Sequence, residues 1–248
     1  MAVIMMGGSN IGKAPNLITG CTGWWKADAG VYVDAGVTLA TNGQTVQQWN
    51  DQIGTGHFTQ GTAGGRPTFV TNAKNGLPVV RFGGVADDDF MGNATANSSF
   101  MTNSAKTIMM VIMESVAQLN NYWGSSDNNI RLRISDPNWS CVHNDGAADT
   151  ASKTTTAITN YYSCTFMHSG GSIYAGLSDT RDASLVSAVS GNTAAMTGTP
   201  VLGSDNAGAN AVDGDIAEVA VFNVALSETD RKDIEMYYAF RYGLSLPY

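Results

Sequence analysis

KTIMMVIME, residues Lys106 to Glu114, carries apolar side chains on both faces that an extended strand presents. Ile108, Met110 and Ile112 fall on one face and Met109, Val111 and Met113 on the other. Such a strand is stable only where both faces are covered, in the middle of a packed structure. Downstream, NIRLRIS (Asn129 to Ser135) alternates instead: Ile130, Leu132 and Ile134 point inward, while Arg131 and Arg133 meet water or a partner. Tyr161 to His168, the pair Gly170-Gly171 and Ser172 to Leu177 read as a β-hairpin, because two glycines supply the positive φ angles of a tight primed turn. Ala217 to Phe222 is a further apolar strand. One helix is expected, at the end, with Ser227 as N-cap, Asp230 in its first turn, Ile234, Tyr237, Tyr238 and Arg241 on one face, and Gly243 as its left-handed stop. The chain is predicted to be all-β, a two-sheet antiparallel β-sandwich closed by a short C-terminal helix.

Composition agrees. Among 248 residues there are 28 glycines and only 14% charged side chains, as short strands and tight turns require. A hydrophobic content of 43% supports a core without disulfide staples. Cys21, Cys141 and Cys164 match no zinc or redox spacing, and pairing of Cys141 with Cys164 stays open. The net charge of −8 repels a phosphate backbone or anionic lipid, which argues against nucleic acid and membrane as partners. The opening MAVIMMGGSN lacks the basic region and apolar length of a secretory signal, so synthesis in a host cytoplasm and release on a particle is expected. Residues 1–20 read as an N-terminal arm and 21–248 as one domain.

Three stretches together resemble a known family. They are GWWKADAGVYV through RPTFV and VVRFGGVADDDFM (Gly23 to Met91), Tyr162 to Leu177, and VLGSDNAGANAVDGDIAEVAVF with the closing helix (Val201 to Leu244). Their order is similar to that of concanavalin A-like, laminin G-like jelly-roll domains, found in bacterial secreted and phage proteins. Lys26 stands where that family more usually has an aspartate, and Gly83-Gly84 where it has Asp-Gly, which weakens a family-type cation site. The resemblance implies a jelly-roll sandwich and leaves function open, since the fold hosts lectins, hydrolases and structural modules.

A glycosidase on this fold would need two carboxylates flanking a cleft. Asp213, Asp215 and Glu218 are the nearest approach, but strict alternation sets Glu218 on the face opposite Asp215 and together with Ile216, Ala220 and Phe222. A structural, hydrogen-bonded role for Glu218 is expected. No nucleophile motif accompanies His57, His143 or His168. For carbohydrate, an aromatic platform with amide and carboxylate neighbours is needed. Tyr122, Trp123, Asp127, Asn128, Asn138 and Trp139, read as lying in adjacent loops, offer that composition, while Trp24, Trp25 and Trp49 read as core. Asp87, Asp88, Asp89 and Asp205 follow strands and are candidate Ca²⁺ ligands at one rim. The resulting expectation is a non-enzymatic virion structural or decoration protein that touches neighbouring virion proteins, copies of itself and surface glycans. A free lectin-like carbohydrate-binding module is the alternative, and a glycoside hydrolase a more distant one.

Overall fold

The computed structural model describes residues 11–84, 88–93, 105–115, 119–125, 130–135, 138–144, 148–154, 160–178, 185–189, 198–205 and 210–246. In chain order the strands are β1 (Cys21–Lys26), β2 (Val31–Tyr32), β3 (Gln48–Trp49), β4 (Phe58–Thr59), β5 (Thr68–Lys74), β6 (Leu77–Gly83), β7 (Met91–Gly92), β8 (Lys106–Glu114) and β9 (Leu119–Ser125). There follow β10 (Ile130–Ser135), β11 (Asn138–Asn144), β12 (Ala148–Thr154), β13 (Tyr162–Ser169), β14 (Ser172–Ser178), β15 (Val186–Val189), β16 (Pro200–Leu202), β17 (Asp213–Phe222) and helix α1 (Glu228–Tyr242). Among the described residues, eight strands form sheet I in the order β15-β14-β13-β8-β17-β6-β5, with β1 also on β17. Nine form sheet II in the order β12-β11-β10-β9-β16-β7-β4-β3-β2.

The two faces of β8 explain the layering. Ile108, Met110 and Ile112 enter the core between the sheets, with Trp25, Trp49, Phe58, Phe82 and Trp123. Met109 and Val111 enter a second core, between sheet I and α1, with Trp24, Phe222, Ile234, Tyr238 and Tyr242. Ser227 caps α1 by accepting from Asp230 N at 3.1 Å, and Gly243 ends it at φ 58°. Gly170 and Gly171, both at positive φ, turn β13 into β14 as the primed hairpin demands. Of residues 1–20, those from Ile11 onward lie along the helix: Lys13 N donates to Asp233 O and Lys13 Nζ sits 2.6 Å from its carboxylate. Cys141 and Cys164 belong to opposite sheets, and all three cysteines are free.

β17 is irregular in one place. From Asp213 to Ile216 it pairs with β6, and from Glu218 onward with β1. Its register with β8 shifts between Ile216 and Glu218, a β-bulge at the point where its neighbour changes. Ile216 therefore enters the inter-sheet core, whereas Ala217 enters the helix-side core and the Glu218 side chain turns to the same side, against Tyr242.

Candidate functional site

Strands β9 to β12 stand side by side in sheet II, and their register settles what faces outward. Leu132 pairs with Trp123 and Cys141, and Cys141 with Ala151. All four are in the inter-sheet core. The adjoining row, Asn121, Arg133, Ser140 and Ser152, points away from it. A second outward row runs through Arg131, Val142 and Thr150. Ser140 and Ser152 hydroxyls meet at 2.8 Å.

The segment after β16 closes one side of this face. Gly124 points outward and Ser204-Asp205 lies directly on it, so close that a Cβ there would stand 2.7 Å from the Asp205 Cα. Only glycine allows that seat. Asn210, at φ 48°, directs its carbonyl at Asn121, accepting from its backbone N at 3.2 Å and its Nδ2 at 3.3 Å. Asn210 Nδ2 in turn donates to Asp205 Oδ2 at 2.6 Å. Arg133 lies in the field of both Arg131 and Asp205: burial and Arg131 hold its guanidinium below its ordinary pKa, and Asp205 opposes them. Arg131 Nε, Arg133 Nε, Asn121 Oδ1 and Asp205 Oδ1 are all buried without a hydrogen-bond partner among the described residues. Donors and acceptors thus converge on one face with capacity to spare.

The expected aromatic platform is corrected. Tyr122, Trp123 and Trp139 are strand residues, not loop residues, and are fully buried. Trp123 packs edge-on against Phe58 with centroids 5.8 Å apart, Tyr122 lies 6.5 Å from Trp139, and Tyr122 OH donates to Met113 O. No ring surface is left for a sugar to stack on. Asn138, half-buried, heads β11 two residues before Ser140 and thus on the outward side. Asp127 and Asn128 lie outside the described residues. Asn121 and Ser140 stand one step along β9 and β11 from Tyr122 and Trp139, and Arg133 lies between them on β10.

The calcium expectation is corrected in part. The two segments do meet, since a Cβ on Gly203 would lie 3.1 Å from Asp89 O. Asp89, however, turns its carboxylate back onto Gly83 N at 2.9 Å, Asp88 is exposed at φ 50°, and Asp205 serves Asn210. Asp87 lies outside the described residues. Among the described residues no group of three or more His, Cys, Asp or Glu is placed to hold a metal.

A second polar cluster lies on the helix side of sheet I. Asp215, fully buried, accepts from Arg81 Nε at 2.7 Å and Nη2 at 2.9 Å, and from the Tyr161 hydroxyl. Glu218 Oε1 accepts from Trp24 Nε1 at 2.6 Å, and Oε2 from Tyr242 OH at 2.7 Å, with Arg241 Nε 3.2 Å away. Burial pushes the Glu218 carboxyl up to about 7 against the pull of these donors. Arg81 lies between Val80 and Phe82, both inter-sheet core residues, so Asp215 is on the helix side too. Strict alternation had put Glu218 opposite Asp215, and the bulge brings the two to one side.

No family model matches the chain, and no curated protein matches it in sequence. Solved structures do match in fold. Trypanosoma rangeli sialidase in complex with sialic acid aligns with a TM-score of 0.57 at 12% identity, over 90% of this chain and 33% of that one. The same sialidase with a difluoro-KDN ligand gives 0.56 at 12% identity, again over 90% and 33%. The tailspike protein 2 enzymatically active domain of bacteriophage CBA120 gives 0.50 at 16%, over 84% and 33%. This chain therefore spans about a third of the length of these proteins, and at such identity what is shared is the β-sandwich. The expectation of a non-enzymatic decoration protein is corrected by them, because the proteins aligned here are named as a sialidase and a tailspike enzymatically active domain.

Proposed function

We propose that this β-sandwich is the glycan-recognising part of a glycan-processing enzyme. The observation that carries the reading is the outward side of β9 to β12, where Arg133, Ser152 and Asn210 are accessible and Asn121, Ser140 and Asp205 lie buried beside them. Amide, guanidinium, hydroxyl and carboxylate groups there can donate to and accept from the hydroxyl edge of a sugar. The names of the fold's relatives and the resemblance to concanavalin A-like, laminin G-like domains support the same reading. It places the protein where glycans are met, outside the cell or on a particle surface. The test is a glycan array with wild type, Arg133→Ala and Ser152→Ala. Retention of a defined glycan set, weakened by either substitution, is expected; no retention by wild type, or indifference to both changes, refutes the reading.

One observation favours a second reading, a hydrolytic centre within this chain. Asp215 and Glu218 share the helix side of sheet I, and a carboxyl near 7 can act as an acid at neutral pH. Both are closed over by Tyr161, Trp24 and Tyr242, so turnover requires those rings to open. Release of reducing sugar from polysaccharides, abolished in Glu218→Gln and in Asp215→Asn with the fold intact, would establish it; activity equal in both variants excludes it.

A further inference from the structure

We infer that the outward face of β9 to β12 is selective for glycans bearing an anionic group, a carboxylate or sulfate, held between Arg131 and Arg133. The inference rests on the glycan-binding reading of that face and names its ligand class. The chain is acidic overall, with 21 Asp and Glu against 13 Lys and Arg. Elsewhere its described arginines are matched: Arg81 to Asp215, Arg231 to Glu235, Arg241 to Asp28 and Glu218, and Arg66 to the carbonyls of Gln60 and Gly61. Arg131 and Arg133 have no such partner, and neither takes part in an ion pair among the described residues.

Alternation along β10 puts the two on one face, roughly 7 Å apart along the strand. Each is half-buried, and each has its Nε out of water and unbonded. Two like charges so arranged repel, and Arg133 registers that repulsion. Among the described residues, the acid that acts on Arg133 is Asp205, which is engaged through Oδ2 by Asn210 and is too little to neutralise both. A single planar or tetrahedral anion between the guanidinium forks would remove the repulsion through charge-assisted hydrogen bonds to their accessible nitrogens. Ser152 and Thr150, exposed on β12 beside them, stand to hold the ring that carries the anion. A long polyanion such as a nucleic acid is disfavoured, because beyond these two residues it would meet a surface of net negative charge.

The experiment is titration calorimetry of the full chain with three oligosaccharides of matched length: a polygalacturonate fragment, a sulfated galactan fragment and a neutral galactan fragment. Wild type should bind one or both anionic sugars at least about 10-fold more tightly than the neutral one, with affinity falling steeply between low and physiological salt. Arg131→Gln and Arg133→Gln should each erase most of that preference, and Arg133→Lys should keep the charge yet lose part of it with the fork. The salt dependence of wild type is the readout that needs no variant. Equal affinity for anionic and neutral sugars, insensitive to salt, overturns the anionic preference and leaves glycan recognition standing. Binding to none of the three, together with none on the array, overturns both. A preference that survives both glutamine substitutions places the anion elsewhere and refutes this site.

Discussion

Replacing Glu218 with glutamine should change how the stability of the fold depends on pH. The carboxyl is fully buried and held up to about 7 against an ordinary 4.5. A carboxylic acid raised in this way is protonated more readily in the folded than in the unfolded chain. Its contribution to stability is therefore complete below about pH 4.5 and is lost as the pH rises towards 7. At about 1.4 kcal/mol for each pH unit, that interval amounts to about 3 kcal/mol. Glutamine has the same shape, still accepts from Trp24 Nε1, and asks Tyr242 OH only to turn and accept from its amide. Arg241 keeps Asp28 as its partner at 2.5 Å. Urea unfolding of wild type and Glu218→Gln at intervals from pH 4.5 to 8 should show the variant gaining on wild type by about 3 kcal/mol, or roughly 1 M in midpoint. Because other titrating groups are common to both proteins, the difference isolates Glu218. Midpoints that move in parallel across the range would refute a raised, buried carboxyl at this position.

Gly124→Ala should lower stability by about 1–3 kcal/mol and weaken glycan retention as well, because the new methyl group lifts Ser204 and Asp205 off the sheet; unfolding midpoints and array binding would show both. Trp139→Ala should cost about 3–5 kcal/mol as a core deletion, read in urea. A loss near zero would mean that the ring is not core. Ser227→Ala should cost about 1 kcal/mol through the lost cap at the start of α1, also measured in urea.

The regular elements were legible because their periodicity is local. β8 with two apolar faces, β10 with one, the Gly170-Gly171 hairpin and the capped closing helix each follow from a handful of neighbouring residues. What escaped was set by distant partners. The extra residue at Tyr122, opposite the step from Leu132 to Arg133, and the one at Ala217 leave no mark in the sequence, yet each resets alternation along its strand. The first turned a strand with Asn, Tyr, Trp and Gly into an apparent loop. The second reversed the side assigned to Glu218 relative to Asp215. Asp205 was noticed as an acid after a strand, but its place over Gly124 depends on β16 docking beside β9, which no local pattern announces. Arg131 and Arg133 face outward as alternation requires; that neither forms an ion pair among the described residues emerges only once the other pairings are known.

β17 joins residues from the far ends of the chain: Trp24, on the strand beside it, bonds Glu218 across 194 positions of sequence. Closing so long a loop is entropically slow, and the reward arrives only when the last strand is available. On the ribosome the first strand must then wait, with Trp24 and Trp25 uncovered, until nearly the whole sandwich has been synthesised. The central strand of sheet I is thus also a timing element, and chaperone dependence during synthesis should be governed by the delay before β17 emerges.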